Sequence, residues 1–164
     1  MNYTMRSMQP EDYKEVLEIF QEGIETKMAT LDTELPTWES WDMNFHKNCR
    51  LVLIDEKETV IGWAALKLIS TRSCYSGVAE VSVYVSGAFQ GRGLGTMLLK
   101  RLVQLSESSG FWTLQSGVFP ENISSLSIHH KAGFRTVGKR EKLGKIGEEW
   151  KDVLLLERRS PIVF

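Results

Sequence analysis

The clearest pattern along the chain has a period of two. In VAEVSVYV (78–85), Ala79, Val81, Val83 and Val85 project to one side, and Glu80, Ser82 and Tyr84 to the other. That alternation predicts a strand with one well-buried face. RLVLID (50–55) and Val60–Ile69 read as two further strands joined by a turn at Glu56–Glu58, a hairpin-like pair. Met1–Met8 reads as the first strand, and residues 111–119, Phe134–Val137 and Trp150–Glu157 as the last three. Elsewhere the period becomes helical. Tyr13, Val16, Leu17 and Phe20 follow a helix start at Gln9-Pro10-Glu11-Asp12 and predict a helix to about Gly23. Leu94, Met97, Leu98, Leu102 and Leu105 form one stripe that Gly110 ends, and 123–132 is a third helix closed by Gly133. Residues 26–41 are irregular and Thr-rich, turning helical after Pro36. The order β-α-(α)-β-β-β-α-β-α-β-β predicts an α/β protein with a mixed sheet, because helical crossovers join only some strands.

Composition narrows the possibilities. The 164 residues, 42% hydrophobic and 25% charged, suit one globular domain spanning 1–164 with no linker or repeat. A net charge of −1 argues against electrostatic capture of nucleic acid or an anionic membrane. No apolar run approaches the roughly 20 residues of a spanning helix, and MNYTMRSMQPED lacks a signal-peptide core. The two cysteines, Cys49 and Cys74, have no metal-ligand spacing and read as reduced thiols. A cytoplasmic protein without a metal is expected.

The strand at 78–85 runs into SGAFQGRGLGTMLLKRL (86–102), a three-glycine turn that opens a helix. Such turns bind anions, because glycines tolerate positive φ and successive N–H groups converge at the positive end of the helix. The client is not a nucleoside triphosphate in a Walker loop, since no lysine precedes Thr96. It is not a dinucleotide either: Gly91 and Gly93 fit G-x-G-x-x-G, but Gly95 falls one residue early. What remains is Q-x-x-G-x-G, carried by Gln90, Gly93 and Gly95.

Gln90-Gly91-Arg92-Gly93-Leu94-Gly95, followed by Asn122, Ser125, Ile128, His129, Gly133 and Phe134 at the spacing N-x-x-S-x-x-I-H-x-x-x-G-F, resembles the GCN5-related N-acetyltransferases. VAEVSVYV, SIHHKAGF and EEWKDV are similar to the phosphinothricin and methionine sulfoximine acetyltransferase branch, as, more weakly, are Thr33, Glu34, Pro36 and Thr37. The resemblance implies a mixed, mostly antiparallel sheet, splayed between the fourth and fifth strands and flanked by helices. It also implies acetyl-CoA as cofactor, a small-molecule amine as acceptor, direct transfer without an acyl-enzyme, and a homodimer.

Site residues follow from the same resemblance. Val83, Tyr84, Val85, Gln90, Gly91, Arg92, Gly93, Leu94, Gly95 and Thr96 are expected to hold the cofactor, with Asn122 and Ser125 on its pantetheine arm. Asn and Ser there also suit helix capping. Glu80 is the expected general base, since an amine must lose a proton before it attacks. His129 is expected near the leaving thiol, as proton donor or as packing. Met28, Leu31 and Trp38 are expected on the acceptor wall. Arg72 and Tyr75 are expected to meet the acceptor, Arg72 gripping a carboxylate or phosphinate. Lys145 and Trp150 fall in the tail that helps form the dimer in that branch. The expected reaction is N-acetylation of a small amino acid or analogue. Acetylation of a protein N-terminus or polyamine, and a non-catalytic acetyl-CoA sensor, are the rival readings.

Overall fold

The computed structural model describes residues 1–164. Seven strands form one sheet in the order β1-β2-β3-β4-β5-β7-β6. They are β1 (Thr4–Ser7), β2 (Phe45–Ile54), β3 (Val60–Leu68), β4 (Val78–Val85), β5 (Thr113–Val118), β6 (Arg135–Ile146) and β7 (Glu149–Arg159). Helices α1 (Tyr13–Thr26), α2 (Trp38–Asn44), α3 (Leu94–Ser108) and α4 (Ile123–Lys131) cover it. Every pairing is antiparallel except β4 with β5. The element order matches the sequence expectation, and no helix is long and apolar enough to cross a membrane.

Alternation along the strands divides the molecule into two cores. Ala79 and Val81 of β4 join Leu98, Leu99 and Leu102 of α3 in the larger, against which Val83 and Val85 also pack. Trp63 and Ala65 of β3 join Val16, Ile19 and Phe20 of α1 and Trp41 of α2 in the smaller, and Tyr84 packs there. Tyr84 stacks on Trp63 with centroids 5.1 Å apart, and Phe20, Trp41 and Phe45 meet Trp63 edge to face. Met97 leaves the apolar stripe expected of α3 and is exposed, because Leu99 and Val103 turn toward the sheet instead.

Two differences in extent matter. β2 begins at Phe45 rather than Arg50, running through an irregular register before Arg50. β6 extends to Ile146, far past Val137, and forms a tight hairpin with β7 at Gly147, whose φ is 59°. A bulge lies between Arg140 and Gly144, where Lys142 takes φ 47° and its N–H donates to Asp152 at 2.8 Å. Bulges of this kind bend an edge strand and re-aim its side chains. Here Leu31, from the loop after α1, comes to rest on Gly144.

The buried Arg50 guanidinium fixes α2 to the sheet. It donates to Asp42 Oδ1 at 2.7 Å and to the carbonyls of Asp42, Phe45 and His46 at 2.8–3.2 Å, and lies 4.9 Å over the Trp41 ring. Arg50→Met leaves those acceptors unpaired and should lower unfolding free energy by about 3 kcal/mol, read from urea denaturation. A loss under about 0.5 kcal/mol would show that the guanidinium does not anchor α2.

Candidate active site

A parallel pair that stops early opens the site. β4 and β5 pair only at Val78–Thr113, Ala79–Leu114 and Glu80–Gln115, and beyond Glu80 the strands part. Alternate N–H and C=O groups of residues 81–85 then face a gap instead of a neighbour, and a buried backbone group needs a partner. The gap is part of a cavity of about 1080 Å³ that also reaches α1, α2, α4 and β6. That exceeds the usual small-molecule pocket and leaves room for a cofactor and an acceptor together.

At one end lies the glycine turn. β4 ends at Val85, a short 3-10 turn spans Gly87–Phe89, and Gly93 caps α3 with φ 74°. Gly91 has φ 77°, and at neither glycine would a Cβ meet any atom within 4 Å. Their requirement is conformational, and the space before them is an open cradle. Leu94, Gly95 and Thr96 form the first turn of α3 and line the cavity, so their N–H groups have no intrahelical acceptor. Gly95 has a different reason: a Cβ there would lie 2.9 Å from Ile128 Cδ1 of α4. Glu22 of α1 steadies the turn by accepting from Gly87 N at 2.6 Å and Ser86 Oγ at 3.2 Å. A nest of free N–H groups with strand-edge amides beside it suits a pyrophosphate followed by an amide-bearing arm. The residues present therefore fit coenzyme A.

Gln90, Val83, Tyr84 and Val85 line the same cavity. Arg92 does not: its guanidinium lies over Phe89 at 5.1 Å and donates to the Tyr3 hydroxyl at 3.0 Å. Tyr84 puts its ring on the α1 side, so cofactor contact from it falls to the backbone. Burial raises the phenol's pKa, Thr30 offsets part of this by hydrogen bonding, and Asp32 and Glu80 add to it.

Asn122 and Ser125 are committed within the fold. Asn122 caps α4, accepting from Ser125 N at 3.1 Å, and its Nδ2 donates to the Met28 carbonyl at 3.0 Å. This second bond ties the loop after α1 to α4 across the cavity. Met28 and Leu31 both line the cavity, whereas Trp38 packs on Tyr13 and Trp41 outside it.

His129 is buried, with Nδ1 2.7 Å from the Ser125 carbonyl and its ring edge-on to Phe134 at 5.2 Å. A carbonyl only accepts, so Nδ1 carries the hydrogen and the neutral ring offers Nε2 as an acceptor. Burial lowers the pKa, the Ser125 carbonyl partly opposes this, and His130 lowers it further.

Glu80 lines the cavity between Lys67 on β3 and Gln115 on β5, on the same face as Ser82 and Tyr84. Neither cysteine reaches the cavity: Cys49 is buried in the larger core and Cys74 is exposed on the loop after β3. Arg72 and Tyr75, expected to meet the acceptor, also stand outside its wall. A short 3-10 turn at Ser73–Tyr75 turns them toward each other, the guanidinium 5.2 Å from the ring centroid. Lys145 likewise sits 4.8 Å over Trp150 on the exposed β6–β7 hairpin. Sequence reading missed Glu22, Lys67, Gln115 and Arg140 in the wall. Lys67 stands out as the one charged residue in the otherwise apolar run Val60–Ile69, but its register against Glu80 did not show.

The state of His129 has a measurable consequence. With its folded pKa below the ordinary 6.5, the unfolded chain binds the proton more readily, so stability falls as pH drops from 6.5 toward the folded value. His129→Asn keeps a donor near the Nδ1 position and should flatten this slope in urea denaturation between pH 7 and 5. Equal slopes in the two proteins would contradict a buried neutral ring.

Comparison with known proteins agrees with this geometry. Residues 13–134 match the Acetyltransferase (GNAT) family. The phosphinothricin N-acetyltransferase of Streptomyces coelicolor is 27% identical over 90% of this chain and 91% of its own. The L-methionine sulfoximine/L-methionine sulfone acetyltransferase of Salmonella typhimurium is 30% identical over 65% of this chain and 63% of its own. A phosphinothricin acetyltransferase from Sinorhizobium meliloti, solved in complex with acetyl-CoA, superposes with a TM-score of 0.86 at 25% identity, covering 97% of this chain and 89% of that one. The open glycine cradle, the splayed strands and these matches lead to one conclusion: the chain belongs to the GNAT family and is an acetyl-CoA-dependent N-acetyltransferase.

Proposed function

We propose that this enzyme acetylates the amino group of a small amino acid or analogue of the methionine sulfoximine, methionine sulfone or phosphinothricin type. The observation that carries the reading is that Glu80 stands in the wall of one continuous cavity, lined at one end by the glycine cradle and elsewhere by residues of α1, α2 and β6. The names of the relatives supply the acceptor class.

Acetyl-CoA, when bound, supplies the acetyl group as an activated thioester. The N–H groups of Leu94, Gly95 and Thr96 would take the pyrophosphate charge, and the edge of Val83–Val85 would hold the pantetheine arm. Glu80 faces the acceptor nitrogen. An amino group with a pKa near about 8 is mostly protonated at neutral pH, so Glu80, directly or through a water, takes the proton the amine gives up. His129, neutral with Nε2 as acceptor, would accept a hydrogen bond near the thioester and would not serve as an acid there. Cys49 and Cys74 take no part. Two chains associate through the β6–β7 hairpin, on which Val137, Leu143 and Trp150 are exposed.

Glu80→Gln should lower kcat about 10²–10⁴-fold while leaving acetyl-CoA affinity unchanged, read by thiol release and calorimetry. An unchanged kcat would remove Glu80 from the proton transfer. In the same assay the wild type should acetylate the three amino-acid analogues in preference to polyamines and peptides with free N-termini. Activity confined to the latter two would overturn the acceptor class.

A further inference from the structure

We infer that the Lys67 ammonium is the carboxylate-recognising group of the acceptor site, so that it selects an amine bearing a carboxylate on the adjacent carbon. The inference rests on the proposed N-acetylation of a small amino acid and names the contact that would make it selective. Lys67 and Glu80 are directly opposite in the antiparallel β3–β4 register. The neighbouring pairs Ala65–Ser82 and Trp63–Tyr84 share their face, and both charged residues line the cavity. Directly opposed residues have Cβ atoms about 4.5–5.5 Å apart. Despite that closeness, Lys67 takes part in none of the ion pairs of the protein, with Glu80 or with any other residue. Its charge is available to a ligand.

An α-amino acid is a zwitterion whose two charges sit on one carbon. A carboxylate and an ammonium side by side on adjacent strands are its complement, with Glu80 toward the amine and Lys67 toward the carboxylate. On the other side of Glu80 stands Gln115, which is uncharged. The remaining cations are less suitably placed. Lys131 lines the cavity from the last residue of α4, the helix that packs on the glycine cradle through Ile128 and Gly95, and not from a strand beside Glu80. Arg72 lies outside the cavity wall over Tyr75. Arg140 lines the cavity from β6, three strand positions from β4, or roughly 14 Å at ~4.8 Å per strand. Glu22, Asp32, Glu34 and Glu80 line the cavity against Lys67, Lys131 and Arg140, so without Lys67 the acids would outnumber the cations by two and the wall would favour a plain amine or polyamine. Lys67 thus does the work the sequence reading gave to Arg72.

The test compares each of methionine sulfoximine, methionine sulfone and phosphinothricin with the amine left when its α-carboxyl is replaced by hydrogen. Lys67→Met keeps the apolar stem and removes the charge; Lys67→Arg keeps a cation. Lys67→Met should raise KM for the amino acid at least tenfold, with kcat changed less than threefold and KM for the amine unchanged or lower. Lys67→Arg should restore most of the discrimination, and acetyl-CoA affinity should be the same in all three proteins. If the wild type acetylates the amino acid and Lys67→Met leaves the ratio of the two KM values unaltered, the Lys67 assignment falls and the acceptor class stands. A loss of discrimination in Arg72→Gln, Lys131→Gln or Arg140→Gln with none in Lys67→Met would move the carboxylate to that cation and overturn the assignment. If the wild type acetylates none of the three amino acids, the acceptor class and the Lys67 assignment fall together.

Discussion

The site depends on where one strand pairing stops. Three paired positions join β4 to β5, and after Glu80 and Gln115 the strands separate. Had the ladder continued to Val85, the peptide groups there would be consumed by hydrogen bonds and no cleft would exist. Because it stops, the backbone needs other partners, and an amide-bearing cofactor arm is such a partner. The glycine turn follows β4 directly, so the strand whose edge parts from β5 also delivers the chain to the glycine cradle. Glu80 sits at the last paired position, where the sheet is still whole and a side chain can be held in place.

The two faces of the sheet divide the labour. On the α3 side, Val81, Val83 and Val85 bind β4 to a dry core of leucines, which keeps the cradle rigid. On the α1 side, the polar members of the same alternation, Glu80, Ser82 and Tyr84, line the cavity. The loop after α1 covers that pocket through three different contacts. Asn122 Nδ2 holds the Met28 carbonyl, Leu31 rests on Gly144, and the Tyr13 hydroxyl donates to the Pro36 carbonyl at 2.6 Å. The acceptor wall is therefore built from α1, α4 and β6 at once, far apart in sequence.

Much of this was legible in the chain, and the reasons for what was not are physical. The alternation in 78–85 and the glycines at 91 and 93 are local signals, and both describe the structure. β6 was mostly missed because RTVGKREKLGKI has neither alternation nor an apolar face. Nearly all of it is exposed, and its pairing with β7 makes it a strand. His129 was placed correctly on its helix, but the hydrogen on Nδ1 depends on a carbonyl four residues away in a buried turn. Arg72 stands out by residue type, and the structure sets it outside the cavity wall, over Tyr75. Lys67 was overlooked because the register that sets it beside Glu80 is a long-range property of two strands.

Direct transfer of the acetyl group requires acetyl-CoA and the amine to occupy the one cleft together. Initial velocities measured over a grid of acetyl-CoA and acceptor concentrations test it most directly. Intersecting double-reciprocal lines, with no acetyl group retained on the protein in mass spectra, are the predicted result. Parallel lines with an acetylated protein intermediate would contradict the account.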